Sequence, residues 1–395
     1  MTSEVDAGRR HRRTAVQRLV ARGYTAAHPA PATVTVVHGA TVTTIAPDSP
    51  PEAHLDALPR GGLGVLLPTY VARCGVPEQV QAVQHVLDRL VPVREAHPGL
   101  PVTVWIGIQA DGGDAAAIER VTAVLGHLRV PAGLVVVGAA LAGRGKLLTT
   151  NAVLRVTAAL RYTGWLWVDD DVELAPDCLQ RLVTRFLERG GTGAVGACET
   201  AQISTTPSAR MMDTVSEHTM PPYAYPAAGC MLVAADVVAG GISPRRLTDD
   251  GFVVFELLTR APDGAAADFE VVPEARCGFC RIGRASDTLV RLRRSMYSHV
   301  VSMADYPSRT ARRYFQQYLF YGLWPLAPWD GRRGPARGLV RWSIKAVHFT
   351  WFGAVAASLA VRGLAGHPVR GVTWGADGDF RTALDSTTGG RDDAA

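Results

Sequence analysis

Lysine is almost absent from this 395-residue sequence: Lys146 and Lys345 are its two lysines, within a total of 41 lysine and arginine residues. Arginine therefore carries nearly all of the positive charge, and the net charge is a modest +5. The arginines crowd residues 9–22, 276–294 and 332–341. Such clusters bind phosphates, anionic lipid or nucleic acid, or else form a solvated surface, and the sequence leaves both interpretations open.

Cysteine is scarce and scattered, with six residues at positions 74, 178, 198, 230, 277 and 280. Only Cys277 and Cys280 have the CxxC spacing of metal or redox sites, and no second CxxC or CxxH completes a zinc site. We therefore interpret this pair as two packed thiols. The charged N-terminal segment lacks the apolar stretch of a secretory signal, so we expect a cytoplasmic protein.

Long apolar runs are missing as well, since no segment reaches the ~20 residues that a transmembrane helix needs. The nearest candidate is the segment of residues 346–361, which is followed by Arg362. Two interpretations remain for it: a buried helix, or a helix lying peripherally on the inner membrane face beside Arg337, Arg341 and Lys345. With 47% hydrophobic and 19% charged residues, the composition is that of a folded globular chain.

Strands and helices alternate regularly from residue 61 to about residue 190. The apolar runs predict strands at 64–67, 102–108, 134–137 and 164–168. The 3.6-residue periodicity predicts helices at 78–90, 115–128 and 146–160. This alternation predicts an α/β fold with a mostly parallel sheet and helices on both faces. In such sheets ligands bind beyond the carboxyl ends of the strands.

The flanking regions have a different character. Residues 1–60 predict an extension with a basic helix and a β-hairpin around His38, and residues 61–297 form the main domain. Residues 298–375 predict a helical, aromatic-rich region, and residues 376–395 a disordered tail. The aromatic stretch of residues 298–375 packs on the main domain in one interpretation and contacts a membrane in the other.

Three consecutive aspartates, Asp169, Asp170 and Asp171, follow the predicted strand 164–168. Like charges this close disfavour ionisation unless a cation lies among them. In extended backbone Asp169 and Asp171 point the same way, so both side chains reach one ion. Mg²⁺ or Mn²⁺ would connect such carboxylates to substrate phosphates. A helix N-cap cluster is the structural alternative, but it does not explain three acids in a row.

Three other loops follow predicted strands on their carboxyl side, where a nucleotide would lie. The first loop, residues 68–70, offers a ring and a hydroxyl to a base. The second, at residue 111, offers an acid beside two glycines that permit close backbone approach. The third, residues 144–146, offers two cations and a helix N-terminus to anionic phosphate. Taken singly, each is also an ordinary turn. The residues concerned are Pro68, Thr69, Tyr70, Asp111, Arg144 and Lys146.

These motifs resemble the family 2 glycosyltransferases of the GT-A fold. The resemblance covers residues 62–297 and also includes Asn151 and the segments 229–232, 248–250 and 291–294. It differs from the family pattern where Ala110 precedes Asp111 and where Ser295 replaces a tryptophan. Single and processive transfer therefore both remain open.

The resemblance implies a role for each matching residue. Asp111 would meet the base, and Asp169 and Asp171 would serve as the DxD pair on the ribose and the metal-bound diphosphate. Asp250 would be the general base, with Asp249 beside it; the alternative is that the two acids cap a helix starting near Phe252. The other implied contacts are the donor residues Asp170, Arg291 and Arg294, where the arginines alternatively line a basic helix, and the acceptor-pocket residues Gly229 and Cys230.

The predicted function is metal-assisted, inverting transfer of a sugar from a nucleotide diphosphate, with a UDP-sugar as the expected donor and Mn²⁺ or Mg²⁺ as the cofactor. The acceptor is a hydroxyl, either on a soluble specialised metabolite or on a lipid or polysaccharide at the membrane surface. Two further alternatives are a sugar nucleotidyltransferase and a silent nucleotide-sugar-binding protein. No RNA- or DNA-binding module is recognisable, so nucleic acid is not an expected partner.

Overall fold

A computed structural model describes residues 13–25, 33–47, 49, 55–70, 75–110, 112–143, 145–201, 225–227, 229–243, 245–246, 248–279, 285–320 and 334–370. The strands are β1 (Tyr24–Thr25), β2 (Val34–His38), β3 (Thr41–Ile45), β4 (Leu63–Tyr70), β5 (Val102–Ala110), β6 (Leu134–Ala142), β7 (Gly164–Val168), β8 (Val172–Leu174), β9 (Ala194–Ala201), β10 (Cys230–Ala234), β11 (Phe269–Phe279) and β12 (Val369–Arg370). The helices are α1 (Ala15–Arg22), α2 (Val76–Ala96), α3 (Asp114–His127), α4 (Lys146–Val156), α5 (Cys178–Glu188), α6 (Ala235–Val238), α7 (Asp249–Arg260), α8 (Ala285–Asp305), α9 (Ser308–Tyr314) and α10 (Gly334–Ala365).

Ten of these strands form one mixed sheet in the order β3-β2-β6-β5-β4-β7-β10-β9-β11-β8. The four predicted strands form its parallel centre, β6-β5-β4-β7. The chain runs from β4 through β5 to β6 and then returns to place β7 on the other side of β4. The carboxyl ends of β4 and β7 therefore meet where the strand order reverses, which is where open α/β sheets bind ligands.

Helices cover both faces of this centre, as the sequence predicts. A Cβ added to Gly107 of β5 would lie 2.0 Å from Thr149 of α4. A Cβ added to Gly138 of β6 would lie 2.2 Å from Val121 of α3. Gly138 is paired with Ile106, the neighbour of Gly107, so the two helices lie on opposite faces because successive strand residues point opposite ways. The α/β prediction is confirmed.

The N-terminal segments join the rest of the chain in two places. The predicted hairpin forms, with its turn after His38, and β2 extends the main sheet by pairing antiparallel with β6. The predicted basic helix forms as α1, capped by Thr14 in a capping box with Gln17. It packs on α8 and α10 in a cluster of nine buried residues: Val20, Tyr24, Met296, Tyr297, Val300, Val301, Ala304, Val355 and Leu359.

The apolar C-terminal segment is longer than the sequence suggested. We expected a helix over residues 346–361, too short to span a membrane, whereas α10 has 32 residues. Its part Trp342–Ala365 is, by length and composition only, long and apolar enough to cross a membrane. The underestimate arose because Lys345 and Arg362 were taken as boundaries, although a helix continues through single basic residues.

Candidate functional site

Lys146 joins two acidic segments that lie far apart in the sequence. Its ammonium is 2.5 Å from Oδ1 of Asp169, which follows β7, and 2.7 Å from Oδ2 of Asp249, the first residue of α7. Asp249 is 5% exposed, so this is a partly buried acid–lysine–acid arrangement. An ammonium has three N–H donors, so two of them can serve the carboxylates while a third remains for a further acceptor.

Strong electrostatic coupling follows from this geometry. Burial alone would lower the pKa of Lys146, but the charges of Asp169 and Asp249 outweigh burial and raise the pKa well above its ordinary value. Burial raises the pKa of Asp169 to about 7, with Asp171 and Asp249 adding to the rise and Lys146 opposing it. Lys146 is therefore a permanent cation that holds two carboxylates together.

Two side-chain amides fix the helix that carries Lys146. Gln109, near the end of β5, donates to the carbonyl of Gly145 at 3.0 Å and accepts from its N–H at 3.1 Å. This holds Gly145 at φ 117°, a conformation that favours glycine, directly before α4. Asn151 of α4 makes the same kind of two-way contact with the backbone of Ile242, at 2.7 and 2.6 Å. α4 is thus tied to the segment that leads into α7.

The second acidic segment begins α7. Thr248 occupies the N-cap position, and Asp249 and Asp250 lie in the first helical turn. The helix therefore starts three residues earlier than expected, and the two acids are not its N-cap pair. Asp250 accepts a 2.6 Å hydrogen bond from the N–H of Gly251. Burial, followed by the neighbouring charge of Asp249, raises the pKa of Asp250.

The aspartates after β7 do not lie in extended backbone. β7 ends at Val168, and Asp170 and Asp171 form a turn before β8. Asp169 and Asp170 are partly buried, whereas Asp171 is exposed. The premise of extended backbone through Asp171 was therefore wrong, although the charge of Asp171 still acts on Asp169. The cation that the sequence seemed to require beside Asp169 is, in this structure, the ammonium of Lys146.

The described residues include no group of three or more His, Cys, Asp and Glu side chains that could hold a metal ion. A Mg²⁺ or Mn²⁺ bound through one or two carboxylates, substrate phosphates and water does not need such a group. The exposed carboxylate of Asp171 suits that mode of binding. The carboxylates of Asp169, Asp171, Asp249 and Asp250 interact electrostatically around the ammonium of Lys146, so the charge of these five side chains is predominantly negative. Added positive charge, such as that of a metal ion, would favour a diphosphate beside them.

Gly229 and Cys230, predicted to line the acceptor pocket, have different positions. The carbonyl of Gly229 accepts the N–H of Asp169 at 3.0 Å. A Cβ on Gly229 would lie 2.6 Å from Oε1 of Glu199, so glycine leaves room for that exposed acid. Cys230 is only 1% exposed, and its thiol contacts Cys178. Cys230 is therefore part of the core behind the site, while Gly229 faces Glu199.

An aromatic wall that the sequence did not identify lies next to Asp250. Tyr225 hydrogen-bonds Tyr314, and burial followed by the charge of Asp250 raises the pKa of Tyr225. The hydroxyl of Tyr314 lies 2.9 Å from Nδ1 of His299, and Nε2 of His299 lies 3.1 Å from the hydroxyl of Ser295. Ser295 is the residue that stands where the family pattern has tryptophan. A chain of polar contacts therefore leads from that position to the neighbourhood of Asp250.

His299 makes the stability of the protein depend on pH. Burial, followed by the charges of Lys345 and His348, lowers the pKa of His299 to about 4. A histidine whose pKa is lower in the folded than in the unfolded state loses stability as pH falls from its unfolded pKa, ~6.5, to its folded pKa. We expect about 2 kcal/mol to be lost through this residue between about pH 7 and about pH 5.

Urea unfolding of the wild type and of His299→Gln at several pH values measures this loss as the difference between the two profiles. The comparison is needed because the raised pKa of Asp169 gives both proteins an opposite slope in this range. His367→Gln is the matched control, since His367 is exposed. A difference in unfolding free energy between the wild type and His299→Gln that stays constant over this pH range would contradict the assignment.

The remaining predicted donor residues divide into two groups. Thr69 is 5% exposed, and its hydroxyl accepts a 2.9 Å hydrogen bond from Gln79, so it has a structural partner; Pro68 is buried beside it. Arg294 lies partly buried on α8. Asp111 and Arg144, and the side chains of Tyr70 and Arg291, lie outside the described residues, as does Cys280 of the CxxC pair.

Several residues of the site were missed from the sequence: Gln109, Glu199, Tyr225, His299 and Tyr314. Gln109 had a usable signal, because it stands at the carboxyl end of a central parallel strand. Tyr314 begins the aromatic stretch that one interpretation packed on the main domain, and its ring contacts Phe255 of α7. Glu199, Tyr225 and His299 follow no strand of the parallel centre and had no such signal.

No protein-family model and no curated protein sequence matches the chain. Among solved structures, it is similar to the mannosyltransferase PcManGT from Pyrobaculum calidifontis in complex with GDP-Man and Mn²⁺, at 15% identity and a TM-score of 0.43, over 80% of this chain and 91% of that chain. It is also similar to S. aureus TarS, at 10% identity and a TM-score of 0.36, over 77% of this chain and 55% of that chain. At these values the function has to be inferred from the site itself.

Proposed function

We propose that this protein is a glycosyltransferase that moves a sugar from a nucleotide diphosphate to an acceptor hydroxyl with inversion at the anomeric carbon. The observation that carries the proposal is the contact of Lys146 with both Asp169 and Asp249. It brings a cluster of acids at the carboxyl end of β7 together with a second acidic segment that includes a candidate base. Donor activation and proton removal both need such groups within one site.

The donor binds beyond the carboxyl ends of the adjacent strands β4 and β7. A divalent metal, Mn²⁺ or Mg²⁺, would be held by Asp171 with assistance from Asp169, and it would supply the positive charge that the leaving diphosphate needs. The third N–H of Lys146 and the N-terminus of α4 donate to phosphate oxygens. The excess of carboxylates over the single ammonium in the cluster around Lys146 supports a metal-bound donor.

Asp250 acts on the acceptor side as the general base. It takes the proton of the acceptor hydroxyl while that oxygen bonds to the anomeric carbon, and the bond from this carbon to the diphosphate oxygen breaks. Asp249 is paired with Lys146 and is therefore less available as a base. The raised pKa of Asp250 supports this assignment, since a base is most effective when its pKa approaches the working pH. The tyrosines next to Asp250 form the wall of the acceptor pocket.

A soluble metabolite is one proposed acceptor, and a lipid or polysaccharide at the membrane surface is the second. The second is favoured by the exposed apolar residues of α10, such as Val347 and Val361, which are 65% and 62% exposed. We propose a cytoplasmic location, at the inner membrane face for the second acceptor class. The four described cysteines are free thiols, which suits a reducing compartment.

A binding screen with UDP-, GDP- and dTDP-sugars, with and without Mn²⁺, tests the donor site by calorimetry. We expect one nucleotide sugar to bind in a metal-dependent manner and Asp171→Ala to weaken that binding by at least about tenfold. Asp177→Ala is the control, because Asp177 is a nearby surface acid paired with Arg181. If no nucleotide sugar binds with or without metal, the glycosyltransferase proposal is wrong. Formation of a nucleotide sugar from a sugar phosphate and a nucleoside triphosphate would instead identify a nucleotidyltransferase.

A further inference from the structure

We propose that the outer face of α10 docks on a bilayer containing anionic phospholipid. The outer face is the set of large apolar side chains that α10 exposes, namely Leu339, Trp342, Val347, Phe349, Val361 and Leu364. They make up six of the nine large apolar side chains exposed in the described part of the chain. Such a concentration on one helix marks an interaction surface, whereas single exposed apolar residues do not.

Neither of the two ordinary explanations for an apolar helix accounts for α10. A core helix of a soluble protein is mostly buried, but only 17% of the most apolar window of Trp342–Ala365 is buried. A signal sequence lies near the N-terminus, whereas this helix ends at residue 365 of 395. The outer face therefore requires a partner outside the described fold.

The inner face of α10 determines how a membrane can meet it. Lys345, Val355 and Leu359 are buried, and Lys345 donates to the carbonyl of Leu319 at 2.9 Å. A Cβ on Gly363 would lie 2.0 Å from the carbonyl oxygen of Leu19, so α1 and α10 are in close contact there. The helix is thus attached to the protein near both ends of its apolar part. Only one side can meet lipid, and α10 lies along the bilayer surface instead of crossing it.

The charges of α1 and α10, which pack on each other, favour an anionic bilayer over a second copy of the chain. No Asp or Glu occurs in α1 or α10. Arg18 and Arg22 on α1 and Arg362 on α10 are exposed. Two copies of this face would bring like charges together, whereas each arginine near an anionic surface adds to the attraction.

Co-sedimentation of the full chain with vesicles tests this docking. The vesicles contain either phosphatidylcholine alone or phosphatidylcholine with about one third phosphatidylglycerol. We expect binding to the anionic vesicles that weakens as salt is raised. Val347→Glu/Val361→Glu should lower the partition coefficient by at least about tenfold, because two exposed apolar side chains are replaced by acids.

Val42→Glu/Val130→Glu is the matched control, with the same substitution at two valines that are 55% and 47% exposed on other elements. Circular dichroism confirms that each variant is folded. The proposal is overturned if the wild type binds neither vesicle or if both double variants lose binding equally. It is also overturned if light scattering finds a dimer that Val347→Glu/Val361→Glu dissociates. Asp250→Asn should bind vesicles like the wild type, so failure of docking and failure of the proposed enzymatic function are distinguishable.

Discussion

Asp250→Asn is expected to lower kcat for sugar transfer by about 10² to 10⁴, with donor affinity within about twofold of wild type. Asparagine keeps the shape and the hydrogen bond from the N–H of Gly251, but it does not accept the acceptor's proton. The proposed donor contacts are made by Asp171 and Lys146 and not by Asp250, so donor binding should survive. Single-turnover kinetics with the donor identified by the screen separates the two quantities.

The pH profile adds a second test of the same residue. Asp250 acts as a base only when ionised, and its pKa is raised by burial and by Asp249. Activity should therefore fall at the acidic end at a higher pH than an ordinary carboxylate would give. Asp249→Asn is the matched neighbour and should retain transfer, because Asp249 is paired with Lys146 and is not the base. Its acidic limb should move to lower pH, because the charge of Asp249 helps to raise the pKa of Asp250. If Asp249→Asn loses transfer while Asp250→Asn retains it, the roles are reversed.

Lys146→Met is expected to reduce the free energy of unfolding by about 3 to 5 kcal/mol near neutral pH. The substitution leaves Asp169 and Asp249 facing each other without the ammonium that lies 2.5 and 2.7 Å from them. Protonation of Asp169, whose pKa burial raises to about 7, relieves the repulsion, so the deficit should shrink as pH falls towards about 5. Urea denaturation at neutral and acidic pH measures the difference.

Two substitutions serve as controls for Lys146→Met. Lys146→Met/Asp249→Asn should recover part of the stability, because one carboxylate is removed together with the ammonium. Lys345→Met removes the only other lysine of the sequence, also buried, from a contact with the carbonyl of Leu319. It should cost about 1 to 2 kcal/mol. If Lys146→Met costs no more than Lys345→Met at any pH, Lys146 does not hold the two acids together.

The contact of Lys146 with two carboxylates explains why this position has a lysine in an arginine-rich chain. The chain uses arginine almost everywhere, yet a lysine stands where two carboxylates converge. An ammonium is a compact point charge with three rotatable donors, whereas a guanidinium is a planar fork suited to one bidentate partner. Lys146 was predicted to contact phosphate from its position before a helix alone. Nothing in the neighbouring sequence indicated that Asp249 would lie beside it.

The parallel centre of the sheet and the acids that follow it were predictable from the sequence. β7 has the predicted bounds, and the other three central strands were found but extend further than expected. The predicted strands were too short because the ends of the strands, such as Pro68–Tyr70, carry polar or ring-constrained residues that interrupt the apolar pattern. Apolar periodicity reports burial along one element, and so it locates strands and helices but not their last residues.

Sequence by itself therefore determined the element order, the α/β class and the position of Asp169, Asp170 and Asp171 after a buried strand, because each depends on neighbours along the chain. Only the tertiary structure decided that Lys146 meets Asp249, that Tyr225, Tyr314 and His299 lie beside Asp250, and that α10 keeps an apolar face outside. These contacts join residues tens to hundreds of positions apart. Such pairings depend on how the helices pack around the sheet, and a pattern within a single segment does not contain that information.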